Sequence, residues 1–347
     1  MAYTDIDKPD DYFNTVLWTG NSTARDITTG HATDFAWLKV RDTTGDHFLF
    51  DIIRGTNNYV RSNLTSAEGT LANTLTAFNS DGFSLGTANA VNASGETQVG
   101  WSWKANGAGV SNTAGSISST VSANTTSGFS IVSYTGNGTS SATVGHGLGV
   151  APKMTIIKQR NSSNGWNVWT FANNAGDPDS FGELNSTAAW YQDQGGDGPY
   201  TTQPTSSLLT LTAYGQVNGN TNTYIAYCFA EVKGFSKFGS YIGNGSADGT
   251  FVYTGFKPAF VMLKRTNDTA HWQMQDSKRI GFNPENERLY ASDSAAEQTI
   301  NFIDLLSNGF KCITTDAGAN GSGDNFIYMA FAENPFVTST SIPTTAR

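Results

Sequence analysis

Three ordered sequence signatures recur three times along this chain of 347 residues, and this repetition restricts the folds it can adopt. The first signature is an aromatic strand that ends in a Gly-Asn turn, and the second is an apolar run that ends in a lysine. The third is an asparagine followed after seven residues by an aliphatic residue and after eleven by an aromatic one. The copies are VLWTGNST (16–23), SYTGNGTS (133–140) and SYIGNGSA (240–247); FAWLKVRD (35–42), MTIIKQRN (154–161) and FVMLKRTN (260–267); and the segments that begin at Asn92, Asn218 and Asn320.

This repetition predicts three homologous units of ordinary domain size. We expect unit 1 at residues 1–105, with an N-terminal docking segment, unit 2 at 106–233, with a preceding linker, and unit 3 at 234–347, with a C-terminal tail. The later part of the linker alternates between apolar and polar residues, which is typical of a strand.

Short apolar runs rich in Val, Ile, Thr and aromatic residues alternate with Gly, Asn, Asp and Ser clusters, a pattern of many short strands. The fold class is therefore predicted to be all-β, with three tandem β-sandwich domains of jelly-roll-like form. In the second signature, Trp37, Ile156 and Met262 share a strand face with the following lysine, and the next residue along faces the other way. A strand that is apolar on both faces is predicted to be covered on both sides, by a second sheet or a neighbouring unit.

Two local predictions concern turns and helices. The pairs Asn137-Gly138 and Asn244-Gly245 fit type I′ hairpin turns. A short helix or turn is expected at 63–70 and at 292–299, and SDGF (80–83) and SNGF (307–310) each predict a turn into a strand.

Charge and composition exclude several functional classes. The formal net charge is −9 and the sequence lacks a basic cluster, which disfavours nucleic acid as a partner. We expect no membrane insertion, because no apolar run approaches the length of a spanning helix, and no signal peptide, because the first residues, MAYTDIDKPDDYF, are acidic and polar. Cys228 and Cys312 are expected to be small buried residues in a protein that folds in a reducing cytosol.

Motifs that carry chemistry are scarce. The four histidines, His31, His47, His146 and His271, follow no metal-ligand spacing and are expected at the surface or in turns, so we predict no metal and no cofactor. Paired acids such as Asp316 and Asp324 lie in polar loops typical of solvated turns, although this loop weakly resembles a calcium site.

The repeated lysines and aromatics offer two further interpretations. Lys39, Lys158 and Lys264 could bind an anionic sugar, but we expect strand-end lysines that reach solvent or pair with a nearby acid. Each is followed by an aromatic residue, at Phe48, Trp166 and Trp272; those at equivalent places in the units are expected in the core.

One aromatic cluster has no counterpart in the other units. Trp190, Tyr191 and Tyr200 lie in the polar, Gly-rich stretch AAWYQDQGGDGPY and are the candidates for contact with a glycan. The alternative is a loop anchored by a buried tryptophan.

The segments YTGNG, TVGHGLGVAPKM, IIKQR, AYCFAEVKGFSKFGSYIGNGSADG and NPFVTSTSIPTTAR resemble a recurrent family of tailed-phage virion proteins, common in phages of marine and aquatic bacteria. The resemblance covers nearly the whole chain but is weaker in unit 1, which has TTGHATDFAW at the corresponding place. It implies a non-enzymatic virion component that is assembled in the host cytoplasm and docks on other phage structural proteins. By analogy it also implies a homo-oligomer, a trimer, with contact to host cell-surface polysaccharide.

We therefore expect a tail fibre or tail-associated protein and no enzyme activity. A head-decorating or capsid fibre protein and a free carbohydrate-binding adhesion protein are the alternatives. A polysaccharide depolymerase would require two carboxylates in one groove, which the sequence alone does not place.

Overall fold

The structure, a computed structural model, describes residues 3–192, 195–279, 283 and 285–344. Strands dominate the described residues, and the α-helices among them are single turns of four residues. The prediction of an all-β fold is confirmed.

Unit 1 begins with a short 3₁₀ turn and contains an inner sheet, an outer sheet and a small two-stranded ladder. The inner sheet has the order β1-β9-β3-β4, the outer sheet the order β2-β8-β7, and β5 pairs with β6. The elements are a 3₁₀ turn (Pro9–Asp11), β1 (Phe13–Thr19), β2 (Arg25–Thr28), β3 (Phe35–Val40), β4 (Phe48–Asp51), β5 (Asn58–Tyr59), β6 (Gly69–Thr70), β7 (Leu75–Asn79), β8 (Gly82–Leu85), α1 (Asn89–Asn92) and β9 (Thr97–Trp103).

Unit 2 repeats this arrangement and adds a hairpin at one edge. Its inner sheet has the order β10-β11-β12-β19-β14-β15-β16, and its outer sheet the order β13-β18-β17. The elements are β10 (Val110–Asn112), β11 (Ser119–Asn124), β12 (Phe129–Thr135), β13 (Ala142–Gly145), β14 (Met154–Gln159), β15 (Trp166–Thr170), a 3₁₀ turn (Asn174–Gly176), β16 (Gly182–Glu183), β17 (Tyr200–Thr202), β18 (Leu208–Leu211), α2 (Gly215–Asn218) and β19 (Thr223–Phe229). The alternation in the linker is confirmed as strand β11.

Unit 3 joins its two sheets into one, with the order β20-β27-β22-β23-β24-β25-β26-β21. The elements are β20 (Ser236–Ile242), β21 (Phe251–Tyr253), β22 (Phe256–Arg265), β23 (Gln273–Asp276), β24 (Glu285–Tyr290), β25 (Gln298–Leu306), β26 (Gly309–Cys312), α3 (Ala317–Asn320) and β27 (Asn325–Pro335).

The same strand order therefore recurs three times. The inner orders β1-β9-β3-β4, β12-β19-β14-β15 and β20-β27-β22-β23 correspond strand by strand, as do the outer orders β2-β8-β7, β13-β18-β17 and β21-β26-β25. The boundaries at residues 105 and 233 stay a prediction.

The inner sheets of all three units face one shared core. Trp37, Ile156 and Met262 belong to this core, whereas the next residues along, Leu38, Ile157 and Leu263, belong to three separate outer cores. The predicted coverage of both strand faces is confirmed. It arises because β3, β14 and β22 each lie between their own outer sheet and the neighbouring units.

Three equivalent aromatic side chains meet at the centre of the shared core. Trp103, Phe229 and Phe331 occupy the same position of β9, β19 and β27. Their ring centroids lie 6.5 Å (Trp103–Phe229), 6.0 Å (Phe229–Phe331) and 5.6 Å (Trp103–Phe331) apart. The prediction that aromatics at equivalent positions are core residues is confirmed for this set.

The turn predictions are partly wrong. Gly138 and Gly245 have a positive φ of 69°, but Asn137 and Asn244 do not, so neither pair forms a type I′ turn. Each loop leads from an inner strand to an outer one, and the asparagine side chain accepts the amide two residues later. Ser22 takes the equivalent place in unit 1, with φ 53°.

The prediction of a short helix or turn at 63–70 and 292–299 is confirmed only as a turn at the start of each segment, at Asn63 and Ser292, and neither segment is helical. Both run across to a neighbouring unit, and bonds to that unit replace those that would close a helical turn. The turns at SDGF and SNGF are confirmed as the β7–β8 and β25–β26 connections.

The expected N-terminal docking segment packs on this chain itself. Ile6 is buried in the shared core, and Thr4 Oγ1 donates to the Lys233 carbonyl. Ser339 of the C-terminal segment donates from its amide to the Asp7 carboxylate, at 2.7 Å. The two ends of the described chain therefore lie together.

Candidate functional site

The recurrent lysines lie where one unit meets the next, and we name the contacts between units junction 1–2, junction 2–3 and junction 3–1. Lys158 of β14 is buried, and its Nζ donates to Asn164 O of its own unit, at 2.7 Å, and to Thr65 O of unit 1, at 3.0 Å. Lys264 of β22 likewise donates to Ala270 O and, at 3.0 Å, to Thr187 O of unit 2.

The third lysine, Lys39, is buried too and donates to Val40 O at 2.6 Å. Burial lowers the pKa of Lys39, Lys158 and Lys264 to about 8. The expectation that these lysines reach solvent is wrong, because a neighbouring unit covers the strand end from which each extends. For Lys158 and Lys264, loop carbonyls take the place of water.

Backbone hydrogen bonds close the three junctions into a ring. The amide of Asn164 in unit 2 donates to Thr65 O of unit 1 at 2.8 Å, and that of Ala270 in unit 3 to Thr187 O of unit 2 at 2.9 Å. The equivalent amide of Gly45 in unit 1 donates to Ser294 O of unit 3 at 2.9 Å. Each unit thus bonds both of the others.

A ring N–H follows each lysine by eight residues and bonds across the same junction. Trp166 Nε1 donates to Arg61 O and Trp272 Nε1 to Glu183 O, each at 2.9 Å. In unit 1 this position holds His47, whose Nε2 lies 2.8 Å from Tyr290 O. The predicted equivalence of Phe48 with the two tryptophans is therefore wrong by one residue.

Junction 1–2 contains a buried charge network. Arg54 and Asp51 pair with both side chains fully buried, and the Tyr227 hydroxyl of unit 2 donates to the Asp51 carboxylate at 2.8 Å. Glu68 lies 3.4 Å from Arg54 and pairs with Arg160 of unit 2 at 2.9 Å.

Junction 3–1 repeats this network residue by residue. Arg279 and Asp276 pair at 2.7 Å in a fully buried position, and Trp101 Nε1 of unit 1 donates to Asp276 at 3.0 Å. Glu297 bridges Arg279, at 2.9 Å, and Arg41 of unit 1, at 2.7 Å. The sequence analysis missed both networks, although Asp-x-x-Arg at 51–54 and 276–279 is a signal shared by the two units.

Junction 2–3 has a different composition. The positions equivalent to Asp51 and Arg54 of unit 1 hold Thr170 and Asn173 in unit 2. The position equivalent to Glu68 holds Trp190. Trp190 Nε1 donates to Ser180 Oγ at 2.7 Å, and Asn173 Nδ2 donates to the same oxygen at 3.1 Å. The Trp190 ring lies 6.1 Å from that of Trp272 in unit 3.

The buried positions of Trp190 and Tyr200 correct the expectation that these rings form an exposed platform for a glycan. Trp190 is 6% exposed and Tyr200 is 1% exposed, and the Tyr200 hydroxyl lies 2.6 Å from Thr155 Oγ1. Tyr191 is partly exposed and stacks on Phe181 with centroids 4.9 Å apart. The loop is anchored by its tryptophan, as the alternative interpretation had it; a glycan contact at Tyr191 stays a prediction. Asp193 and Gln194 lie outside the described residues.

The asparagine of the third signature fixes the Gly-Asn loop in each unit. Asn92, Asn218 and Asn320 are completely buried. Each accepts the amide of the loop asparagine (3.2, 3.0 and 3.0 Å) and donates to two loop carbonyls. The recurrence of this residue therefore has a structural cause.

The remaining titratable residues are mostly internal. His31, His47 and His146 lie in segments between strands, which agrees with the expectation of turn positions, but they are not at the surface, and burial lowers the pKa of each. Both cysteines are buried, as expected, and burial raises the pKa of Cys228 to about 12 and of Cys312 to about 11.

Within the part of the chain that the structure describes, no three His, Cys, Asp or Glu side chains are grouped to hold a metal ion. In the proposed calcium-like loop, Asp316 caps α3 by accepting the Gly318 amide at 2.6 Å, and Asp324 pairs with Arg265 at 2.7 Å. No helix among the described residues has the length and apolar character to cross a membrane.

A family model described as a domain of unknown function, DUF7483, matches residues 8–335. No curated protein and no solved structure matches the chain. The matched range includes every residue named above in the three junctions.

Proposed function

The chain belongs to the DUF7483 family, and we propose that it is a non-enzymatic structural component of a tailed-phage virion, a tail fibre or tail-associated protein that docks on other virion proteins. A head-decorating or capsid fibre protein would use the same architecture at another place on the particle. The resemblance of the sequence to virion proteins provides the biological class.

One observation carries the proposal. The charged and aromatic side chains that recur in the units bond to one another across the junctions, as Lys158, Trp166 and Glu68 do at junction 1–2. Such residues would be expected to line a shared groove in an enzyme or a lectin. Here they hold three β-units in a closed ring, an arrangement that suits a rigid structural protein.

The buried residues suggest how the shape is maintained. Opening junction 1–2 would break the hydrogen bond from Tyr227 to the buried Asp51 and the ion pair of Glu68 with Arg160, so this junction resists opening. The apolar core at the centre, which includes Trp103, Phe229 and Phe331, has to be uncovered if a unit leaves the ring.

Purified particles test the proposal. Particles would be prepared by two successive density gradients from a lysate of cells infected with the phage that encodes this chain, and the chain quantified by mass spectrometry in particles and lysate. We expect a fixed copy number per major capsid protein and immunogold label at one place on the particle.

An abundant host cytoplasmic protein, followed through the same gradients, measures contamination. Depletion of the chain from the particles to the level of that host protein would overturn the proposal. Label on the head would move the assignment to the head-decorating alternative.

A further inference from the structure

The three outer sheets each end in an equivalent edge strand, β2, β13 or β21. An edge strand presents unpaired backbone N–H and C=O groups, and proteins usually protect such groups from other chains. The three units protect this edge in three different ways, and the comparison identifies one that is open.

In unit 2 a segment of the chain itself covers the edge strand β13. Ile117 N donates to Thr143 O at 2.9 Å, and Thr143 N donates to Ser116 Oγ at 2.8 Å. Ser119 Oγ donates to Gly145 O at 3.2 Å. The outward backbone groups of Thr143 and the carbonyl of Gly145 thereby find partners.

In unit 1 the edge strand β2 has no covering segment among the described residues, but its exposed side chains are polar. Asp26 and Thr28 are exposed at the positions equivalent to Thr143 and Gly145. A charged residue on an edge discourages pairing with another strand.

In unit 3 no described residue covers the edge strand β21, and its exposed side chains are apolar. Phe251 and Tyr253 take the same two positions and are 45% and 60% exposed. Ile242, whose carbonyl accepts from Thr250 Oγ1 beside them, is 62% exposed, where units 1 and 2 have Thr19 and Thr135.

The backbone of β21 is also available. Cys312 N donates to Thr250 O at 3.0 Å and Thr254 N donates to Asn308 O at 3.0 Å, so alternate residues of the strand face β26. By the antiparallel alternation, the N–H and C=O groups of Phe251 and Tyr253 point away from the sheet. A groove of about 200 Å³ adjoins the end of the strand and is lined in part by Tyr3, Tyr253 and Phe336.

Units 1 and 2 form the same fold with polar or small residues at these positions, so folding does not require Phe251 and Tyr253. We propose that the β21 edge binds an extended segment of a different polypeptide, which adds a strand to the outer sheet of unit 3. Main-chain hydrogen bonds would supply affinity, and the exposed rings would cover the apolar side chains of that segment.

Unit 2 indicates the chemistry of the occupant. Its covering segment is Gly115-Ser116-Ile117, and at Gly115 a Cβ would collide with the Thr143 carbonyl. The partner segment is therefore expected to run parallel to β21, with a small residue followed by an aliphatic one. This inference rests on the proposed function only for the class of partner, another structural protein of the same particle.

A peptide with the sequence of residues 111–120, SNTAGSISST, is the probe. Labelled with fluorescein, it would be titrated with the full chain and followed by anisotropy. The double variant Phe251→Asp/Tyr253→Thr carries the residues of the polar unit 1 edge, Asp26 and Thr28, and we expect it to bind the peptide about tenfold more weakly or worse. A peptide with Ile117→Asp is the matched control and should not bind.

Circular dichroism checks that the double variant is folded, which the sequences of units 1 and 2 lead us to expect. Equal peptide binding by the two proteins, or none by the wild type, would overturn the proposal. A wild-type dimer in sedimentation velocity that the double variant abolishes would assign the edge to a second copy and overturn it too. The peptide titration needs no particle, so its failure is distinguishable from failure of the virion assignment.

Discussion

Junction 1–2 and junction 2–3 solve the same packing problem with different chemistry. At junction 1–2 the chain buries Asp51 with Arg54 and links them to Arg160 through Glu68. At junction 2–3 the corresponding places hold an uncharged pair and Trp190. Both junctions nevertheless form the same backbone bond at the same place, from the amides of Glu68 and Trp190.

The difference shows that a junction of the ring can form without a buried charge pair. A buried ion pair often contributes little relative to a well-packed apolar substitute, whereas loss of one partner is costly. Unit 2 provides an uncharged substitute within the same molecule. We therefore expect Thr and Asn, the residues of unit 2, to be tolerated together in place of Asp51 and Arg54.

The largest effect is expected from removing one member of the buried pair. Asp51→Ala leaves the Arg54 guanidinium fully buried without its main partner, and we expect the free energy of unfolding to fall by about 3–5 kcal/mol. Urea denaturation followed by tryptophan fluorescence measures this change.

The double variant Asp51→Thr/Arg54→Asn, which installs the unit 2 residues, is the matched control. It should lose clearly less stability than Asp51→Ala, because no unpaired charge remains in the pair. An equal or larger loss would mean that junction 1–2 depends on its charges in a way that junction 2–3 does not.

A slightly smaller effect is expected at junction 2–3. Trp190→Ala removes a large buried side chain and its hydrogen bond to Ser180, and should cost about 3 kcal/mol, the lower end for such a truncation. Thermal and urea denaturation measure the change, and Tyr191→Ala is the control. Because the Tyr191 ring is partly exposed, we expect its removal to lower the free energy of unfolding by about 1 kcal/mol or less. Unchanged stability in Trp190→Ala would contradict the anchoring role.

The smallest effect concerns pH. The pKa of Lys158 is about 8 in the folded protein and near 10.4 in an unfolded chain, so above pH 8 the unfolded state binds the extra proton. The contribution of this residue to stability therefore rises with pH, by at most about 1.4 kcal/mol per pH unit. Urea denaturation at pH 8.0, 8.75 and 9.5 should show the wild type gaining stability relative to Lys158→Met.

The wild type and Lys158→Met share their cysteines and tyrosines, so the titration of these residues cancels in the difference between the two free energies of unfolding. Lys264→Met is the matched variant at junction 2–3 and should behave alike, since burial lowers the pKa of Lys264 to the same value. A stability difference that stays constant with pH would show that Lys158 titrates normally.

The sequence predicts the repeated parts of the fold well, because repetition makes local patterns reliable. Trp37 and Leu38 alternate on β3, and their counterparts in units 2 and 3 do the same, so coverage of both faces follows from the pattern. The asparagines of the third signature were likewise visible as a repeat, although their hydrogen bonds were not.

The sequence does not predict the contacts between one unit and the next. Lys158 follows an apolar strand, which is typical of a lysine that reaches solvent, but Thr65 of unit 1 covers it. Trp190 lies in a polar loop, yet Thr266 and Trp272 of unit 3 enclose it. These contacts join residues far apart in the chain, so no local pattern records them.

The closed ring has a consequence for synthesis of the protein. A nascent chain that has emerged only as far as unit 2 carries Phe13, Trp103 and Phe229 without Phe331, the ring that all three contact in the finished molecule. The apolar surface formed by these rings is therefore exposed to water until unit 3 has been synthesised. A pause or premature termination after unit 2 would leave that surface exposed, and an exposed apolar surface makes a chain prone to aggregate.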